Sequence, residues 1–207
     1  MICPFCLLGK KKIEAAVAKL PADVKVNYEW RPFQLDPSLP TPGTDKQTRY
    51  AQKFGARIGP MLQQLTATGK GWGINFNFTG KIGNTLNAHR LVEWSKQSEQ
   101  GGGSRTDALM TALMSGYHEH NSDLASEADL VAAAKAAQLP ASEEQVRAFL
   151  RGDELRKQVE EDVRNAQEAD ISGVPHFFIE SKGQVIPVSG AQEPDAFVHV
   201  FKKLGVA

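Results

Sequence analysis

Strand-like periodicity is confined to the two ends of this 207-residue chain, and the long stretch between them reads as helix. Near the start, Val24, Val26, Tyr28 and Trp30 alternate with Lys25, Asn27, Glu29 and Arg31, which predicts a strand with one covered face. Near the end, residues 176–179 and 184–188 flank a turn at Ser181-Lys182-Gly183 and predict a hairpin. A helix predicted over Pro4–Leu20, stopped by Pro21, places Ile13, Val17 and Leu20 on one face. Another over Pro194–Leu204 gathers Phe197, Val200, Phe201 and Leu204. Residues 45–169 carry helical patterns broken at Pro60, Gly69 to Gly80, Gly101-Gly102-Gly103 and Pro140, enough for about six helices of ordinary length. Ser126 and Ser142 are expected N-caps there. The reading is an α/β core built from residues 1–44 and 170–207, with an all-helical domain inserted over residues 45–169.

Chemistry is concentrated at the N-terminus. The chain's two cysteines form Cys3-Pro4-Phe5-Cys6 and run straight into the first helix. A helix start offers unpaired backbone N–H groups and the positive end of the macrodipole, both of which favour a thiolate over a thiol at the first cysteine. Cys6 lies one turn on, where it can resolve a mixed disulfide formed by Cys3. Zinc is the rival use of a C-x-x-C, but it needs four ligands and no second C-x-x-C or H-x-x-x-H pair exists; His118 and His120 are spaced to point apart on a helix. No metal is expected. The 24 basic and 24 acidic residues cancel, so nothing global attracts nucleic acid or an anionic membrane. No apolar run reaches the length of a membrane span, and no signal-like segment precedes the cysteines, so a reducing cytoplasmic setting is expected. There a C-x-x-C reads as a redox pair rather than a structural bridge.

At the other end, Gly173-Val174-Pro175 sits directly before the hairpin. Proline cannot donate to a sheet ladder, so at a strand start it marks a special bend, and a cis bond is expected over an ordinary turn. Ser189 and Gly190 follow the last strand, where exposed N–H groups could receive the carboxylate of glutathione or of a peptide, or simply form a turn. His89, on a helix within Asn87-Ala88-His89-Arg90, reads either as a cleft residue or as a structural histidine.

The segments CPFCLLGKKK, WRPFQLDP, GINFNF, NTLNAHRL, ADISGVPHFFI and VSGAQEPDAF, in order over nearly the whole chain, resemble the DsbA-like thioredoxin superfamily. Within it, the chain is similar to FrnE-type oxidoreductases, relatives of kappa-class glutathione transferases and 2-hydroxychromene-2-carboxylate isomerases. The resemblance implies a thioredoxin-like core with a helical insertion. It implies that Cys3 attacks, that Cys6 resolves, and that Val174-Pro175 form a cis-proline loop shaping the substrate groove, with His89 lining the cleft. The transferases and isomerases of that group carry serine where Cys3 stands, so retention of both cysteines favours thiol:disulfide exchange over glutathione conjugation. The expected substrates are disulfide-bearing peptides or glutathione, with glutathione as a co-substrate and no obligatory cofactor. Phe5 replaces the histidine of strongly oxidising relatives, which implies a moderately reducing or isomerase-like potential. Two other readings stay open: a kappa-type glutathione-dependent transferase or isomerase, and a non-enzymatic peptide-binding chaperone.

One feature departs from the resemblance. A thioredoxin core carries a central strand before its C-x-x-C, and Met1-Ile2 are too few to make one. The expectation is a first core strand missing or truncated at the N-terminus, with Met1 an internal methionine of a longer reading frame. Loss of a central strand would leave neighbouring edges unpaired, which invites pairing with a second copy as a homodimer.

Overall fold

The computed structural model describes residues 1–97, 103–169 and 171–207. The expected glycine break at Gly101-Gly102 and the expected boundary at Asp170 lie outside the described residues. Helix α1 spans Pro4–Val17 and begins cleanly because Cys3 is extended, with φ −80° and ψ 121°, and Pro4 occupies the first helical position. Proline costs nothing there, since the N–H it lacks would have no intrahelical partner. α1 ends at Val17, one turn short of the expected Leu20, and the amides of Lys19 and Leu20 close tight turns onto Ala16 and Val17.

The predicted strand over Val24–Trp30 is not one. Among the described residues it has no ladder partner, and the stretch is held by side chains instead. The Lys96 ammonium donates to the Trp30 carbonyl, the Trp30 indole N–H donates to Asp107 at 3.0 Å, and Tyr28 packs beside α1. The alternation reported one-sided burial, a condition that unpaired extended chain also meets.

A two-residue strand β1 (Thr44–Asp45) pairs antiparallel with β2 (Lys81–Ile82), a bridge with no signal in the sequence. Around it run α2 (Lys46–Phe54), a short 3₁₀ turn and α3 (Ile58–Gly71). Pro60 does not break the pattern as expected; it stands in the first turn of α3, where its missing N–H is harmless. Then come α4 (Leu86–Gln97), α5 (Ser104–Glu119), α6 (Glu127–Ala136), α7 (Glu143–Arg151) and α8 (Arg156–Glu168). The described residues of the insertion thus hold seven α-helices rather than six. Ser126 caps α6, and Ser142 caps α7 in a reciprocal capping box with Gln145. The main core lies among these helices, where Leu91, Leu109, Leu113 and Met114 are fully enclosed, and it extends to Met1, Ile2, Leu7 and Leu8.

The chain closes with the hairpin β3 (His176–Ser181) and β4 (Gln184–Ser189), then α9 (Pro194–Lys203). Lys182 and Gly183, both at positive φ, form the turn that matches strand twist. One face of the hairpin, with Phe177, Ile179 and Val188, packs on α1 and α9 through Ile13, Ala16, Phe197 and Phe201. Burial of each phenylalanine there contributes roughly 1.5–3 kcal/mol. The opposite face leaves Phe178 and Val185 exposed. The result is a mixed α/β thioredoxin-like core with a large helical insertion and a small sheet.

Candidate active site

The geometry at the start of α1 follows from local sequence. Cys3 is the N-cap residue and Cys6 the third residue of the helix, and its amide donates to the Cys3 carbonyl at 3.0 Å. Both thiols are free; Cys3 is buried, Cys6 half-buried, and Phe5 between them is 46 % exposed. The Cys3 thiol donates to the carbonyl of Val174 at 3.3 Å, a contact across 171 positions of sequence. This contact serves the protonated form. The thiolate is served by other groups, and its pKa falls from 9.0 to about 7. The Cys6 thiol, acting as a hydrogen-bond donor, is the largest cause; burial opposes it; the amides of Phe5 and Cys6 and the N-terminal ammonium assist. Cys6 moves the other way, well above its ordinary value, because it gives its proton to that bond and because it is buried. One sulfur is therefore a nucleophile near neutrality and the other a protonated reserve.

The opposing wall is the Val174–Pro175 peptide, which is cis. It comes close because α1 presents a glycine to it: a Cβ on Gly9 would stand 2.9 Å from Pro175 Cγ and 3.1 Å from the Phe177 ring. The wall is tied to the end of the hairpin, since the Gly190 amide donates to the Pro175 carbonyl at 2.8 Å. That commits one of the N–H groups expected to be open at Ser189-Gly190. The Ser189 hydroxyl is 3.0 Å from His176 Nδ1. Lys12 of α1 donates to the Ala191 carbonyl and pairs with Glu193, with its ammonium 5.7 Å from the centre of the Trp72 ring.

The DSBA-like thioredoxin domain matches residues 1–202. The chain belongs to the DsbA-like thioredoxin family. No curated protein matches it. Among solved structures, this DsbA-like chain is similar to a probable DsbA oxidoreductase from Streptomyces coelicolor, with 26 % identity and a TM-score of 0.84, over 98 % of this chain and 86 % of that one. Two further structures share the fold. A candidate protein disulfide isomerase from Nitrosomonas europaea is 17 % identical, with a TM-score of 0.65 over 98 % of this chain and 92 % of that one. The cytosolic disulfide reductase DsbM from Pseudomonas aeruginosa is 14 % identical, with a TM-score of 0.59 over 100 % of this chain and 96 % of that one.

The structure also places the two histidines named from the sequence, His89 and His118. His89 on α4 is enclosed, with Nε2 3.1 Å from the Phe33 carbonyl, and burial pushes its pKa down to about 3, so it is neutral and donates to the loop. His118 on α5 is likewise neutral and donates to the Met1 carbonyl at 3.0 Å, holding the segment that leads into Cys3. Lys46 of α2 and Tyr117 of α5, neither singled out by the sequence, meet in the core, with the Lys46 ammonium 3.8 Å from the centre of the Tyr117 ring. No periodicity marks them, since a buried lysine and a mid-helix tyrosine look like surface and core residues respectively. Among the described residues, no group of three or more His, Cys, Asp or Glu side chains is placed to hold a metal, and no helix is long and apolar enough to cross a membrane.

Proposed function

We propose that this DsbA-like oxidoreductase is an FrnE-type thiol:disulfide exchange enzyme, acting in the cytoplasm on peptide disulfides and glutathione-linked disulfides. The observation that carries this reading is the placement of the dithiol: Cys3 is the N-cap of α1, Cys6 lies in its first turn, and the Cys3 thiol faces the Val174 carbonyl at 3.3 Å, surroundings that lower the Cys3 pKa and raise that of Cys6. Cys3 attacks one sulfur of the substrate disulfide, and the S–S bond breaks with its electron pair on the other sulfur. The mixed disulfide on Cys3 is then attacked by Cys6 once Cys6 loses its proton, which leaves Cys3–Cys6 oxidised and the substrate as two thiols. Val174-Pro175 forms the wall along which the substrate chain lies, and the Val174 carbonyl, 3.3 Å from the Cys3 sulfur, is the acceptor an incoming backbone N–H would meet. Phe5 adds no hydrogen-bond donor to the thiolate, which favours a reducing or isomerase-like potential over a strongly oxidising one.

The test is Cys3→Ser. Reduction of insulin and refolding of a scrambled disulfide substrate should both be abolished; undiminished activity of the variant overturns the proposal.

A further inference from the structure

Among the described residues the Val174 carbonyl receives one hydrogen bond, from the Cys3 thiol at 3.3 Å. Neither partner is free to turn away. Pro175, the next residue, is buried against α1 at Gly9, and its own carbonyl is taken by the Gly190 amide at 2.8 Å. On the other side Cys3 is fixed as the N-cap of α1, and His118 holds the Met1 carbonyl, two residues before it, at 3.0 Å. The ionisable groups acting on Cys3 are Cys6, which donates to its thiolate, and the N-terminal ammonium, while His118 is neutral because burial pushes its pKa down to about 3. The carbonyl that lines the substrate wall is therefore occupied whenever Cys3 carries its proton.

Cys3 has that proton in only one of its states. The thiol donates it, whereas the thiolate has nothing to donate, and a Cys3 sulfur in a disulfide carries no S–H at all. A substrate strand must bring its own sulfur up to Cys3, so its backbone N–H approaches the Val174 carbonyl from the side that the thiol fills. We propose that the Cys3 thiol and a backbone N–H of the substrate chain compete for the Val174 carbonyl, so that peptide docks weakly on the protonated reduced enzyme and more tightly once Cys3 has lost its proton or entered a disulfide. This rests on the exchange reading above. During exchange the docking strand removes the thiol's acceptor, the proton passes to water, and the attacking thiolate forms where a substrate is already seated. Linkage makes the effect reciprocal: proton loss tightens docking by the factor by which docking favours proton loss.

The probe is the insulin B chain with its cysteines replaced by alanine, which can dock but cannot react. Its dissociation constant is measured by fluorescence anisotropy, at a pH below the Cys3 midpoint, for the reduced enzyme, the oxidised enzyme, Cys3→Ala and Cys3→Ser. The oxidised enzyme should bind roughly three- to tenfold more tightly than the reduced one, the range of one neutral hydrogen bond. Cys3→Ala, which has no donor, should bind like the oxidised enzyme, and Cys3→Ser, which keeps a hydroxyl in place of the thiol, like the reduced one. Equal affinity in the two redox states means that the second lone pair of the carbonyl takes both donors, and overturns the inference. A redox difference with alanine and serine variants alike assigns the effect to the shape of the disulfide and overturns it too. Absence of binding to every form, in an enzyme that still exchanges disulfides, overturns this inference alone; a reduced enzyme inert towards disulfides overturns the exchange reading and this inference with it.

Discussion

At the residue scale, reactivity is set by a hydrogen bond between two sulfurs. Cys3 has a pKa of about 7, so alkylation of the reduced protein should accelerate as pH rises through that value, because the thiolate fraction is small below it and nearly complete above. The largest cause is the Cys6 thiol, which yields a sharper prediction: Cys6→Ala should move the midpoint up towards 9.0, read from the ultraviolet absorbance of the thiolate. A midpoint left near neutrality would assign the effect to the backbone amides instead. The dithiol itself is legible in the sequence because its chemistry is local, two cysteines at a helix start. Its environment is not. The Val174 carbonyl reaches Cys3 across 171 positions, and His118 reaches the Met1 carbonyl, just before the dithiol, across 117. Nothing in a periodicity announces contacts of that span.

At the scale of elements, the helices that carry strong local signals form where expected, and the exceptions share a cause. The capping box at Ser142 and Gln145 starts α7, and Pro4 starts α1, because both act within one turn. The extended stretch over Val24–Trp30 fails as a strand because a ladder needs a partner, which its alternation cannot supply. Junctions between helices depend on similarly non-local groups. Arg90, fully enclosed on α4, donates to the carbonyls of Phe149, Gly152 and Glu154, and so collects the open end of α7 and the turn into α8, while its guanidinium lies 4.9 Å from the centre of the Phe149 ring. Arg90→Leu would leave those carbonyls without a donor, and the expected cost is about 2–4 kcal/mol, measured as a lower urea midpoint. A loss below about 0.5 kcal/mol, the range of an ordinary surface change, would show that solvent replaces the guanidinium.

On the scale of the whole molecule, the two ends of the chain build one body: α1, the hairpin and α9 share the cluster of Ile13, Ala16, Phe197 and Phe201. That much is visible in the sequence, where helix, hairpin and helix occupy the termini. What joins them at the site is a position with no side chain. Gly9→Ala should push Pro175 and Phe177 away from α1, costing about 1–3 kcal/mol of stability for an overpacked contact. It should also slow insulin reduction without altering either cysteine, and a variant with wild-type melting temperature and rate would show that the loop yields freely. The further consequence concerns how this cleft could be reshaped. Its width works like the gap of a caliper whose jaws are the first helix and the loop before the hairpin, and Gly9 is where the jaws touch. Thickening that contact shifts the substrate wall while leaving both sulfurs and their donors untouched, so preference among substrates can be tuned by mechanical spacing, separately from the chemistry.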